Sequence, residues 1–200
     1  MRTPIGILIS GRGSNLMAIK SAADAGLLRA HIAFVGSDNP AAPGLTWARE
    51  QGLQTIELDY SSGRLRGEEQ LEQAMVYYDT HHLVLAGFMR ILSERFVERH
   101  KGMIINIHPS LLPSFPGKKG IEEAFRYGVK VTGVTVHIVD EQVDHGPILA
   151  QEAVTVEEGD TLQDLEDKIH GVEHKIYPVT IDRWLEEGDF SLPRLRRSIP

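Results

Sequence analysis

Apolar positions in this chain fall into short runs separated by longer stretches of helical spacing, with glycine, proline or Asx residues at the joins. Residues 5–10, Ile-Gly-Ile-Leu-Ile-Ser, are apolar almost throughout, the pattern of a central strand buried on both faces of a parallel sheet. Helical spacing follows over 16–26. Residues 31–37 read as a second strand, 45–51 as a helix closed by Gly52, and 55–58 as a short third strand. A polar loop over 59–67 carries Arg64 and Arg66; a helix over 68–78 and a strand over 83–86 come next. Strands alternating with helices predict βαβ units, hence a parallel sheet with right-handed crossovers.

The apolar turn 87–92 leads into a helix over 93–100, with Ser93 as N-cap and Phe96 and Val97 turned inward. A strand over 103–107 is interrupted by Asn106, ends at His108 and meets three prolines within eight residues, which neither strand nor helix can absorb. A helix is expected over 121–127. Residues 131–139 alternate around Thr132, Thr135 and His137, and 148–156 read as their antiparallel partner. Thr161 is the expected N-cap of a final long helix running past Glu173 to Trp184, with Asp160 and Asp164 favouring its first turn and Pro178 kinking it. The predicted fold class is α/β: a Rossmann-like, mostly parallel sheet flanked by helices, with an antiparallel C-terminal strand pair and a long C-terminal helix. One domain is expected over 1–190, followed by a mobile basic tail over 191–200.

Composition narrows the partners. A net charge of -7 opposes a nucleic-acid ligand, since such binding relies on Lys and Arg neutralising phosphates. The absence of cysteine removes disulfides and thiolate metal sites and fits a reducing cytoplasm. No apolar run is long enough to span a membrane, and Met1-Arg2-Thr3-Pro4 leads straight into a strand without a signal sequence. The nine histidines are scattered, so no metal is expected. His81-His82 reads as a surface pair. Oligomeric state is open between monomer and homodimer.

Candidate chemistry gathers at strand ends, where ligands bind in open α/β sheets. Asn106 and His108, two apart, share one face of their strand, although an Asn and a His before a proline also make an ordinary polar strand end. Gly11-Arg12-Gly13-Ser14-Asn15 between strand and helix suits an anion on the helix N-terminus. A tight turn with Ser14 or Asn15 as cap explains it equally. Leu16 stands where a dinucleotide fingerprint needs its third glycine, so a monophosphate fits better than NAD or ATP. Phe88, Met89, Ile91 and Leu92 either pack in the core or wall a pocket for a flat ligand. Asp144, beside His145 in the turn 140–147, is a turn former or the carboxylate that orients an imidazole.

Taken in order, S-G-R-G-S-N-L at 10–16, A-G-F-M-R-I-L at 86–92, N-I-H-P-S-L-L-P at 106–113, G-V-T-V-H at 133–137, D-H-G-P-I at 144–148 and E-H-K-I-Y-P at 173–178 closely resemble the folate-dependent phosphoribosylglycinamide formyltransferases of purine synthesis. The resemblance covers nearly the whole chain. It implies transfer of a formyl group from the cosubstrate 10-formyltetrahydrofolate to the amine of glycinamide ribonucleotide. Asn106, His108 and Asp144 would be catalytic: Asn106 and charged His108 donate to the oxyanion, His108 protonates the leaving nitrogen, and Asp144 helps move the amine proton through a water. Gly13, Ser14 and Asn15 would hold the ribonucleotide phosphate, with His170 and Glu173 near its other parts and Glu173 on ribose hydroxyls. Met89, Arg90, Ile91 and Leu92 would line the pteridine pocket, the turn from Asp140 to Asp144 would hydrogen-bond the ring, with Asn106 beside it, and Arg64 would meet the folate tail.

His145 and Lys118-Lys119-Gly120 depart from the family's usual residues at these positions. A formyltetrahydrofolate hydrolase, with water as acceptor, is the alternative within the superfamily; such relatives carry a further amino-terminal domain, whereas the first strand here begins at Ile5. A tRNA-directed formyltransferase would need a carboxyl-terminal domain for which the tail leaves no room. A non-catalytic nucleotide-binding module is the alternative from another class, and the trio Asn106, His108 and Asp144 argues against it.

Overall fold

A computed structural model describes residues 2–188, in the order β1 (Thr3–Ile9), α1 (Ser14–Asp24), β2 (Ala30–Ser37), α2 (Pro43–Glu50), β3 (Thr55–Glu57), α3 (Arg64–Tyr77), β4 (His82–Leu85), α4 (Glu94–Arg99), β5 (Ile104–His108), α5 (Gly120–Tyr127), β6 (Val131–Ile138), β7 (Ile148–Thr155) and α6 (Leu162–Glu187). The expected tail over 191–200 lies outside the described residues. The sheet order is β3-β2-β1-β4-β5-β6-β7, parallel from β3 to β5, with β6 antiparallel to both neighbours. Chain connectivity reverses at β1, whose neighbours are β2 and β4; the crevice beyond such a switch point is where α/β sheets hold ligands.

β1 is apolar and buried from Ile5 to Ile9, where both of its faces are covered. Ile5, Ile7 and Ile9 join Leu16, Leu45, Ile169 and Tyr177 in the core beneath α1, α2 and α6. Leu8 faces the other way, with Phe34, Leu71 and Phe96, beneath α3 and α4. The Tyr177 hydroxyl, buried in the first core, donates to the Leu85 carbonyl at 2.8 Å, so α6 is tied to the sheet beneath the crevice.

Helix ends mostly follow the expected capping chemistry. Ser93 Oγ accepts from the Phe96 N–H, and Phe96 and Val97 are buried. Thr161 and Asp164 form a reciprocal capping box, and α6 runs on through Pro178 as one helix. The start of α3 differs from expectation: the helix begins at Arg64, so Arg64 and Arg66 sit in its first turn rather than in a loop. Gly67, the last residue of the expected loop, lies inside α3, where the Tyr60 ring packs in the space a Cβ would need. His82 corrects the surface-pair expectation. It is half-buried, edge-on to Trp184 with ring centroids 4.9 Å apart.

Burial lowers the pKa of His82, His100 and His174. These rings resist a proton that the unfolded chain accepts from pH 6.5 downward, so their contribution to stability is complete above that value and is lost as pH falls through it. Between about pH 6.5 and 5 each of these rings pulls the urea midpoint down as pH falls. His82→Phe should therefore lose less of its midpoint across that window than wild type does. An identical pH response in the two proteins would refute this account.

Candidate active site

The loop after β1 is shaped by Gly13, which adopts φ 77 and lies so close to α2 that an added Cβ would stand 3.0 Å from the Gly44 Cα. A left-handed residue here turns the chain straight into α1, whose first N–H groups have no carbonyl partner within the helix and no side-chain cap. Neither Ser14 nor Asn15 caps the helix by its side chain, contrary to the capping reading. The Asn15 amide instead donates to Glu173 of α6 at 3.0 Å, both groups being buried. Asn15 Oδ1 has no hydrogen-bond partner among the described residues. Burial pushes the Glu173 carboxyl up, while the Asn15 hydrogen bond and the nearby charges of His170 and His108 draw it back. Glu173 is therefore within electrical reach of both histidines, and Gly13, Ser14, Asn15, His170 and Glu173 belong to one region.

β5 delivers Asn106 and His108 to the crevice and stops there, since Pro109 cannot continue the ladder. In the antiparallel register Asn106 stands opposite His137, and His108 opposite Thr135. His137 is buried, which lowers its pKa and keeps the ring neutral. Its Nδ1 lies 2.8 Å from the Ile138 carbonyl, which can only accept, so the proton resides on Nδ1. His137 Nε2 is then an acceptor and takes one N–H from Asn106 at 3.2 Å. The other Asn106 N–H is left for the crevice.

His108 is buried as well, 4% exposed, with Nε2 2.9 Å from the Phe115 carbonyl and Nδ1 3.4 Å from Asp144 Oδ2. Asp144 adopts φ 52 in the turn after β6, and its Oδ2 accepts the Gly117 N–H at 2.7 Å. The carboxylate thus joins the turn, the proline-rich segment and the histidine. Thr135 fixes that segment from below: its hydroxyl donates to the Ser110 carbonyl and accepts from the Leu112 N–H. Asp140 is engaged within the turn by the Gln142 N–H and by His145 Nδ1, 2.8 Å away.

A cleft of about 300 Å³ opens over these groups. Met89, Arg90, Ile91 and Leu92 form one wall, Asn106 and His108 the floor, and the turn from Asp140 to Asp144 the facing side. Met89 and Ile91 expose 48% and 56% of their surface, large apolar side chains left open beside a polar floor. Arg64 is not part of this lining; it sits exposed at the start of α3. His137 stands in the G-V-T-V-H motif, where period-two alternation gives it no more weight than its strand neighbours; its part in the site comes from standing opposite Asn106. Among the described residues, no group of three or more His, Asp or Glu side chains is placed to hold a metal ion.

An amide donor and a histidine–carboxylate pair in a cleft at the edge of an open α/β sheet, beside the N-terminus of a helix, suit group transfer of acid–base type. A family model described as formyl transferase matches residues 4–181, and the chain belongs to that family. The phosphoribosylglycinamide formyltransferase of Bacillus subtilis (strain 168) is 38% identical over 181 residues, covering 90% of this chain and 93% of that protein. The trifunctional purine biosynthetic protein adenosine-3 of Bos taurus is 42% identical over 176 residues, 87% of this chain but only 17% of that much longer protein. A crystal structure of phosphoribosylglycinamide formyltransferase from Bacillus halodurans superposes with a TM-score of 0.89 at 40% identity, covering 94% of this chain and 97% of that one.

Because the Glu173 carboxyl is held above its ordinary value of 4.5, its ionised form costs stability, and the cost grows as pH rises past that value. Glu173→Gln keeps an acceptor for Asn15 without the charge. The variant should melt higher than wild type at neutral pH and lose that advantage near about pH 4. Scanning calorimetry at both values checks this; an equal difference at both would show that the charge is not the cause.

Proposed function

We propose that the chain transfers the formyl group of 10-formyltetrahydrofolate to the amine of glycinamide ribonucleotide, giving formylglycinamide ribonucleotide and tetrahydrofolate as a cytoplasmic step of purine synthesis. The observation that carries this reading is the adjacency of an anion cradle with a buried carboxylate, Gly13 to Asn15 with Glu173, to the floor built by Asn106, His108 and Asp144. A phosphorylated amine held on the first side meets a formyl donor held in the cleft. The open apolar wall of Met89 and Ile91 suits a flat heteroaromatic ring, and the turn at Asp140 offers polar groups to its edge. His170 and Glu173 supply contacts for the rest of the ribonucleotide, and Arg64, outside the cleft lining, is left for the far end of the folate. Among the described residues, no helix is long and apolar enough to cross a membrane.

The bound folate supplies the formyl carbon; the protein handles the charges. Asn106 keeps the N–H not taken by His137 for the formyl oxygen as negative charge develops on it. His108 acts as the charged ring: it gives its Nε2 proton to the leaving nitrogen when the Phe115 carbonyl is exchanged for substrate, and it returns to the neutral imidazole with its remaining proton on Nδ1, beside Asp144. Asp144 orients the His108 ring and accepts, through a water, the proton that the attacking amine must lose. The Gly117 N–H on Asp144 Oδ2 fixes the carboxylate during this exchange.

Purified protein with both substrates should form formylglycinamide ribonucleotide, with no folate turnover when the ribonucleotide is omitted. Formate release at the same rate without ribonucleotide would mark a hydrolase instead. Asn106→Ala, His108→Ala and Asp144→Asn should each lower kcat about 10²–10³-fold, the usual cost of one such group, while far-UV circular dichroism stays unchanged. Parallel loss of the folded signal would assign these residues a structural role.

A further inference from the structure

Ser10 opens the loop that reads as a phosphate cradle, yet its side chain turns away from it. Its hydroxyl donates to Asp38 Oδ1 and accepts the Met89 N–H at 2.8 Å, and its own N–H donates to the Gly87 carbonyl at 3.1 Å. Asp38 follows β2, where the sequence suggests only a turn. Its side chain is 7% exposed, and its second oxygen accepts Arg90 Nε at 2.6 Å. Arg90 is further supported by the Tyr60 ring, 5.7 Å beneath its guanidinium. Three segments at the switch point, the ends of β1 and β2 and the wall after β4, therefore meet on one carboxylate.

The energetics make this carboxylate hard to replace. A buried ionised group is tolerated only when its oxygens are satisfied, and here one oxygen takes a hydroxyl and the other a guanidinium. In return, Arg90 spends Nε on Asp38, and among the described residues its Nη groups have no hydrogen bond to the protein. The Met89 backbone is held by Ser10 at the same time. Met89 and Arg90 both line the cleft.

We propose that Asp38, acting through Ser10 and Arg90, is a positioning residue that holds the Met89–Arg90 wall in its ligand-binding form and so sets affinity for the formyl donor without touching it. This rests on the function proposed above. Asp38→Ala frees both Arg90 and the Ser10 hydroxyl. It should raise KM for 10-formyltetrahydrofolate about tenfold, the worth of one charge-assisted hydrogen bond, and leave kcat and the KM for glycinamide ribonucleotide within about twofold.

Asp38→Asn should restore the donor KM to within about threefold of wild type, since Oδ1 can serve Arg90 while Nδ2 donates to Ser10 Oγ, which has two lone pairs. Folic acid titrated calorimetrically gives a readout independent of turnover: affinity should fall for Asp38→Ala and recover for Asp38→Asn. Ser10→Ala, which spares the Asp38–Arg90 pair, should give a smaller loss than Asp38→Ala, and it keeps the test available if Asp38→Ala fails to fold. Equal folic acid affinity in wild type and Asp38→Ala, no rescue by Asn, or a matching rise in both KM values would overturn the assignment. A wild-type protein that neither binds folic acid nor turns over the two substrates would overturn the proposed function itself.

Discussion

The site depends on one cross-strand pair, Asn106 opposite His137, and that pair exists because β6 runs antiparallel to β5. Directly opposed residues in an antiparallel ladder bring their side chains within reach of each other. Burial makes His137 a neutral ring, the Ile138 carbonyl dictates which nitrogen carries its proton, and the remaining lone pair dictates which way the Asn106 amide points. A carboxamide free to flip would present its oxygen to a developing oxyanion half of the time. The fold removes that choice with two hydrogen bonds and no charge.

Sheet topology explains why two unlike binding regions share this floor. β1 sits between β2 and β4, so the loop after β1 enters the crevice beside the wall after β4. The N-terminus of α1, the positive end of its dipole, lies on one side, and residues 87–92 lie on the other. α6 completes the first side by bringing Glu173 to Asn15, with Tyr177 one turn further on hydrogen-bonded to the Leu85 and Ile105 carbonyls. One long helix thus sets the height of Glu173 and Asn15 relative to the ends of β4 and β5.

Much of this was legible because local signals agreed with the tertiary fold. β1, β2, β4 and β5 stand out as apolar runs and β6 by its alternation, and the His108-Pro109 junction marks where β5 has to end. The start of α3 was not visible, because Gly63 and Gly67 bracket Arg64 and Arg66 in a loop-like composition. Gly67 is required by the Tyr60 ring, a contact between segments that no helix propensity encodes. Asn15 misled for a similar reason: a residue type that favours N-caps is used across 158 positions for Glu173 instead. His137 gave no local sign, since its importance lies in what stands opposite on β5. His82 read as surface because its burial comes from Trp184, 102 residues away along the chain (184 - 82).

The proline-rich segment does more than cover the floor. A backbone carbonyl can only accept, so the contact between Phe115 and His108 requires the proton at Nε2 whatever the charge of the ring. Asp144 sits at the other nitrogen and is itself held by the Gly117 N–H, two residues beyond Phe115. The same short segment therefore sets the donor end of the imidazole and, through Asp144, restrains the acid–base partner at its opposite end. Thr135 anchors the segment to β6, the strand that also carries His137, so the orientation of Asn106 and the proton position on His108 trace to a single strand. In the proposed reaction, Nε2 then exchanges the Phe115 carbonyl for the leaving nitrogen while Asp144, held at the other end of the ring, is free to take the amine proton.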